Sequence, residues 1–472
     1  MLKKLNRNST QGIRNRPVKA LQFGDGNFIR AFAAWIIDVM NESTDFNGNI
    51  QVIAPLRNNS LHKDIQDGLY HVVIRGLVNG ERYAQTRLVT SVADTINPYT
   101  SFQAFIKAAE NRKLEFVFSN TTEAGIAFVY EDSQPSAAAE SFPGKVTQLL
   151  YHRYTHFRGS LSKGLIFIPC ELIEKNGDKL QSIVLQYCEH WKLPAAFVQW
   201  VREANIFCNT LVDRIVPGFP SIDAIEIQQS LGYEDERMVV AEPYHLLVVE
   251  GDKKLNALFP AAKAGLSVKF VGDIEPYRVR KIRILNGAHT AMMAVAYLRG
   301  IRTVKEAIDD PFTGKFIKDA IQNEIIPTIR LPADEMKAYA AEIMDRFGNP
   351  FIRHELASIA LNSVSKFKVR VLPTILDYIN INAAMPVNLI HAFAALILFY
   401  RGEWKNEKLP VKDLPEVIAT FQEAWQNNEL GAVVTTVLSN AQLWDQDLTK
   451  VDGLQHAVSK ALSNLEAINP PS

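Results

Sequence analysis

Residues 18 to 40 place the strongest limit on how this chain can fold. An apolar run, Val18 to Phe23, breaks at Gly24-Asp25-Gly26-Asn27-Phe28-Ile29-Arg30 and resumes with helical period through Met40. A strand that turns on glycines straight into a helix calls for a second, parallel strand, because the helix must cross back over the sheet to bury its apolar side. The glycines let the backbone come close to a bound group, and the first turn of the helix carries N–H groups with no helical partner. Such a turn suits the pyrophosphate of a dinucleotide, which makes Gly24, Asp25, Gly26, Asn27, Phe28, Ile29 and Arg30 the expected cofactor-binding residues. Two features depart from the usual pattern. Ile29 stands where a third glycine is common, and Asp25 sets a negative charge beside the phosphate, which Arg30 is placed to offset.

The rest of a parallel sheet follows. Asn49 to Leu56 is the expected second strand, whose end usually carries an acidic residue for the ribose hydroxyls of NAD. Arg57 stands near that position instead, suited to a 2′-phosphate or to a solvated loop, so NAD and NADP both stay open. His71 to Val92 alternates around Asn79-Gly80, the signature of a β-hairpin inserted in the sheet. Leu114 to Ser119 is a further strand, running into Asn120-Thr121-Thr122-Glu123-Ala124-Gly125. Open parallel sheets bind ligands at the carboxyl ends of their strands, so Asn120, Thr121, Thr122 and Glu123 join the cofactor candidates; an ordinary capped helix start is the plainer alternative. Leu165 to Pro169 is another strand. Beyond Gly272-Asp273 the texture becomes helical, punctuated by Pro311, Pro327, Pro332, Pro350, Pro373 and Pro386. The expected architecture is an α/β Rossmann-type domain with an inserted hairpin over 1–275, and an all-helical domain over 276–472 that binds substrate and carries the chemistry.

Charge and cysteine usage narrow the class of partner. Lysine plus arginine equals aspartate plus glutamate at 51 each, so nothing draws the chain to nucleic acid or to an anionic membrane. The longest wholly apolar stretch, Ala392 to Tyr400, is far below the ~20 residues of a membrane span and reads as a buried helix stopped by Gly402. The basic N-terminus has no apolar run behind it. Cys170, Cys188 and Cys208 have no close paired spacing, which argues against a disulfide framework or a zinc site and fits a reducing cytoplasm. A small molecule is the expected partner, and oligomeric state is not legible.

The chemistry is expected in Pro276 to Ala294, PYRVRKIRILNGAHTAMMA. On an ideal α-helix His289 falls roughly 80° and Asn286 roughly 140° round from Lys281, so the three can line one side. Apolar neighbours would bury the lysine in part and suit it to accept a proton. The plainer alternative is a basic helix surface with a hydrogen-bonded core histidine.

The order Lys-x4-Asn-x2-His after Pro-Tyr, in a chain that opens GDGNFIR, closely resembles the polyol-specific long-chain dehydrogenases and reductases. That resemblance covers nearly the whole chain. It implies metal-independent oxidoreduction with NAD, in which Lys281 is the general base, Asn286 donates to the developing alkoxide and His289 orients the hydroxyl. Asn209 to Arg214 is similar to the family's NxxVDRI segment, which puts Asp213 at the substrate, and Glu242-Pro243-Tyr244-His245 matches another family segment. Leu172 stands where mannitol dehydrogenases carry a substrate-holding asparagine, so Glu171 or Asn176 is expected to serve instead. Lys366 matches a substrate-contacting lysine, while the arginine eight residues earlier is Ser358 here. With Lys368 and Arg370, Lys366 forms a cationic cluster suited to a carboxylate, or else a solvated helix face. These departures imply a sugar acid, with altronate and tagaturonate as the expected pair. Fructuronate reduction, mannitol or arabitol oxidation, and a nicotinamide-binding sensor without turnover are the alternatives.

Overall fold

The computed structural model describes residues 2–54, 66–132, 137–427 and 429–467. The chain forms two compact units, Met1–Arg75 with Tyr83–Ile274, and Gly76–Arg82 with Glu275–Ser472.

The first unit is built on a six-stranded parallel sheet. Its strands are β1 (Val18–Phe23), β2 (Asn49–Ile53), β5 (Val92–Ile96), β6 (Phe116–Ser119), β7 (Ile166–Pro169) and β8 (Ile206–Phe207), in the order β5-β2-β1-β6-β7-β8. Every neighbouring pair is parallel. The order reverses between β1 and β6, which is where such sheets open a crevice for a ligand. Strand β2 ends at Ile53, and the rest of the expected strand, with Arg57, lies outside the described residues. Strands β6 and β7 are buried at every position, because both faces of the sheet are covered. Alternation sorts their side chains: Phe116, Phe118, Ile166 and Ile168 join one core with Phe32, Trp35 and Phe259, while Val117 and Phe167 join another with Phe105, Phe142 and Tyr187.

The hairpin forms as the sequence indicates, from β3 (Tyr70–Val78) and β4 (Glu81–Val89). Asn79 and Gly80 both take positive φ, +53° and +78°, as a two-residue turn requires. The hairpin does not join the main sheet. It pairs instead with β10 (Val239–Ala241), parallel to β3. Its tip, Gly76–Arg82, groups with the second unit. A further three-stranded sheet joins β9 (Thr210–Asp213), β11 (Leu246–Glu250) and β12 (Val268–Val271).

Among the described residues the regular structure of the second unit is helical apart from the hairpin tip and a two-residue ladder, Glu403–Trp404 with Glu407–Lys408. The helix Val387–Phe399 holds the apolar stretch noted above as far as Phe399, with Tyr400 at its C-cap; it ends short of Gly402, whose φ is +83°. Among the described residues no helix is long and apolar enough to cross a membrane. Among the described residues three helical stretches are π-helical, Arg30–Ala34, Lys281–Asn286 and Ala320–Ile325. Two of them fall on residues singled out from the sequence.

Candidate active site

The glycine turn after β1 touches the turn after β6. Gly24 has φ +114°, and a β-carbon there would stand 3.0 Å from the Asn120 carbonyl oxygen, so only glycine suits the position. Asn120 in turn donates its backbone N–H to Phe23 at 3.1 Å and its side-chain amide to the Cys170 carbonyl at 3.0 Å. The helix that follows, Asn27–Ile29 continued by Arg30–Ala34 and Trp35–Ser43, begins at Gly26 with no side chain capping its amides. A tight glycine cradle at a sheet's switch point, ending on uncapped helix amides, fits a dinucleotide pyrophosphate.

The charge of Asp25 is met differently from expectation. Its ion-pair partner is Arg237, from the far side of the unit's sequence. Arg30 is turned inward instead: it bonds the Arg237 carbonyl and Asn27 Oδ1, the latter at 2.8 Å, and lies over the Tyr70 ring. Gly218, at φ +102°, leaves room for the Asn27 side chain. Arg237, Tyr70 and Gly218 carry no motif, so sequence reading had no signal for them.

Glu171, expected at the substrate, is 2% exposed. Its carboxylate accepts from Ser119 Oγ, Thr121 N and Thr121 Oγ1, each at 2.9 Å. Burial pushes its pKa above the usual carboxylate range, and these donors pull it back. Asn176 is likewise buried, its amide bonded to the carbonyls of Pro169 and Glu171 and to Thr210 Oγ1. The polar groups of both side chains are thus engaged within the protein. Leu172 itself is 61% exposed. Asp213 is buried at the end of β9, and Glu242 accepts from the Ile215 amide at 2.6 Å.

In the second unit the expected trio sits on one continuous helix, Glu275–Arg280, Lys281–Asn286 and Gly287–Leu298. The middle stretch is π-helical, which changes the geometry expected from an ideal α-helix. A π-turn takes up about one residue more than an α-turn, roughly 80° per residue, so Asn286 comes to roughly 40° from Lys281 instead of 140°. Three α-helical steps then bring His289 to roughly 20° on the other side of Lys281. The widened turn thus gathers the three residues on one stripe. It is pinned from both flanks: Arg280 donates to Glu335 at 3.0 Å, and Arg283 to the Thr328 carbonyl and hydroxyl at 3.1 and 3.0 Å. Gly287 allows close contact with a neighbouring helix, since a β-carbon there would stand 3.0 Å from the Arg370 carbonyl oxygen.

His289 is buried, and its Nε2 has no hydrogen-bond partner among the described residues. Its ring centroid lies 4.2 Å from that of Phe347, the two rings tilted by 31°, and it meets His354 edge-on at 5.0 Å. Burial, then His354, Arg346 and Arg370, hold its pKa well below the ordinary histidine value, so the imidazole is neutral. Lys281 and Asn286 are half-buried.

The cationic cluster separates into three different environments. Lys368 pairs with Asp445 at 3.0 Å, and Lys366 donates to the Ile359 carbonyl at 3.0 Å. Arg370 has no hydrogen bond or ion pair among the described residues, and burial lowers its pKa. Among the described residues no three His, Cys, Asp or Glu side chains converge to hold a metal, and all three cysteines are buried and unpaired.

Comparison with known proteins gives the same two-part division. Residues 18–261 match the mannitol dehydrogenase Rossmann domain, and residues 273–466 the mannitol dehydrogenase C-terminal domain. The chain is 44% identical over 476 aligned residues to the altronate oxidoreductases of Shigella flexneri and Escherichia coli K12, covering 99% of this chain and 97% of each relative. Among solved structures it resembles a substrate-free D-sorbitol dehydrogenase, with TM-score 0.81 and 20% identity over 96% of this chain and 94% of the other. It also resembles Pseudomonas fluorescens mannitol 2-dehydrogenase, solved with NAD and D-mannitol, with TM-score 0.65 and 20% identity over 98% and 96%. At that identity the two structures bear on the fold alone.

Proposed function

The chain belongs to the mannitol dehydrogenase family, and from that premise we propose that it interconverts D-altronate and D-tagaturonate with NAD. One observation carries the choice of substrate: 44% identity to altronate oxidoreductases along 99% of the chain. Roles for individual residues follow the family resemblance, supported by the single stripe on which the widened turn places the trio. The Gly24–Arg30 turn and the Asn120–Glu123 turn hold the dinucleotide. Bound there, NAD supplies the two-electron acceptor for the carbinol carbon. Lys281 takes the hydroxyl proton in oxidation and returns it in reduction. Asn286 donates to the oxygen as negative charge develops on it. His289, held neutral and with Nε2 lacking a protein partner, orients the substrate hydroxyl.

Of the three clustered cations, Arg370 is assigned to the carboxylate of the sugar acid. Lys368 already has an acidic partner and Lys366 is bonded to a carbonyl, whereas the Arg370 guanidinium lacks a hydrogen-bond or ion-pair partner among the described residues and bears on His289. A planar guanidinium also suits a carboxylate in two-pronged fashion. Three buried, unpaired cysteines support a reducing compartment such as the cytoplasm.

The test is a substrate panel of purified enzyme with altronate, mannonate, mannitol and arabitol, each with NAD and NADP. We expect altronate with NAD to give the highest kcat/KM by about 100-fold over mannitol, the scale of one charge-assisted contact or more. A preference for mannonate would make the enzyme a fructuronate reductase, and a preference for mannitol or arabitol a polyol dehydrogenase. Binding of NADH without turnover of any of the four would support a sensor.

A further inference from the structure

Thr122 lies in the turn at the end of β6 with φ +74° and ψ 167°. That region of backbone space is essentially reserved for glycine, and a β-branched side chain is among the least suited to it. The residue is exposed, so no packing of its own side chain accounts for the conformation. What holds it lies on either side. Thr121 is gripped at both its backbone N–H and its hydroxyl by the same oxygen of Glu171, and Ser119 is gripped by the other. On the far side Gly125 donates to the Thr122 carbonyl at 3.0 Å, and a β-carbon at Gly125 would overlap the Thr121 hydroxyl. Glu171 is anchored in turn, its carbonyl accepting from Asn176 at 3.1 Å.

A buried carboxylate is a costly way to tie down a surface turn, and strained backbone persists only where its surroundings over-determine it. We propose that Glu171 is a positioning residue: it clamps Thr121 so that the strained Thr122 peptide is held in a fixed orientation toward the nicotinamide end of the cofactor. The proposal rests on reading the crevice between the Gly24 and Asn120 turns as the dinucleotide site. It moves Glu171 from the substrate to the scaffold behind the cofactor.

The test compares Glu171→Ala, Glu171→Gln and Thr122→Gly with the wild type. NADH affinity is measured by fluorescence titration, thermal stability by unfolding, and turnover with ordinary and carbinol-deuterated altronate. Glu171→Ala should lower kcat about 30-fold and raise the deuterium isotope effect, with the Kd for NADH changed by less than about threefold, because misorientation slows the chemical step more than it weakens binding. Glu171→Gln should restore kcat to within about threefold of wild type, since an amide oxygen can take the Thr121 N–H while the NH2 donates to Ser119 Oγ. Thr122→Gly, which relieves the strain without disturbing the core, should raise the melting temperature and still lower kcat. This variant keeps the test decisive if Glu171→Ala fails to fold. The proposal fails if Glu171→Gln is as impaired as Glu171→Ala, which would put the negative charge itself in the reaction, or if Thr122→Gly gains stability with kcat unchanged. Wild-type protein that does not bind NADH would instead overturn the dinucleotide reading, and the proposal with it, before any variant is compared.

Discussion

Of the three helices that widen into a π-turn among the described residues, one in each compact unit has a histidine packed at it. His245 packs edge-on against Trp35 at 4.9 Å, on the helix of the first unit. Its Nδ1 lies 3.2 Å from the Pro243 carbonyl, and its Nε2 accepts from the Ser267 amide at 3.1 Å, so both nitrogens are satisfied and the tautomer is set. His289, on the helix of the second unit, is just as surely neutral but has a buried Nε2 with nothing to bond. The charges nearby follow the same contrast. Asp25 and Arg237 neutralise each other beside the first helix, whereas Arg370 near the second has no acidic partner among the described residues. Completed polar groups mark a scaffold. An unmet buried atom does not mark a substrate site by itself, since Trp35 Nε1 and Arg30 Nε on the first helix also lack a partner among the described residues; at His289 it coincides with Lys281 and Asn286 on one stripe.

If that contrast is right, the sharpest break comes at Lys281. Lys281→Ala should cut kcat by about 100-fold or more while NADH affinity stays within about twofold, since general acid–base catalysis is worth that much and the cofactor turn lies in the other unit. Kinetics near wild type would remove the lysine from the mechanism.

Acid should act on the scaffold side. Burial, then Arg214, lowers the His245 pKa from 6.5 to about 4. The unfolded chain therefore binds more protons between those two values, and the stability contributed by neutral His245 is complete above pH 6.5 and lost as pH falls toward 4. The loss amounts to ~3 kcal/mol. Denaturant unfolding at pH 7 and pH 4.5 should show the gap between wild type and His245→Asn narrowing toward acid. An unchanged gap would mean His245 is not a buried neutral imidazole.

Arg370 sharpens the comparison on the substrate side. Arg370→Met should raise KM for altronate by about 10-fold to 100-fold with a smaller effect on any neutral polyol the enzyme accepts, as loss of a charge-assisted pair predicts. Lys368→Met, which breaks the pair to Asp445, should change KM less than about twofold, because an exposed pair contributes little. Equal effects of the two would erase the distinction drawn between them.

A smaller effect than at Lys281 is expected at the cofactor turn. Gly24→Ala forces a side chain into φ +114° against the Asn120 carbonyl, and should weaken NADH binding by about 10-fold with KM for altronate nearly unchanged. Binding unaltered by this substitution would show that the turn has slack the structure does not suggest.

Much of this molecule is readable from residues alone because the relevant physics is local. Glycines at a strand's end, alternation in strands buried on both faces, and Asn79-Gly80 in a hairpin each act within a few neighbours, so the Rossmann-type sheet, the hairpin and the helical second half could all be expected from the chain. The trio Lys281, Asn286 and His289 is legible for the same reason, being carried on one helix. Tertiary structure decided what depends on long-range partners. Whether Asp25 is answered by Arg30 or by Arg237 turns on residues about two hundred positions apart, and no local pattern records it. Whether Glu171 points to substrate or into the core depends on where the end of β6 happens to lie. Lys366, Lys368 and Arg370 are one basic run in sequence and three environments in space, since Ile359 and Asp445 reach only two of them. Even the π-turn belongs to this class: its residues have ordinary helix propensities, and the contacts of Arg280, Arg283 and Gly287 with other helices accompany the extra residue in the turn that aligns Lys281, Asn286 and His289.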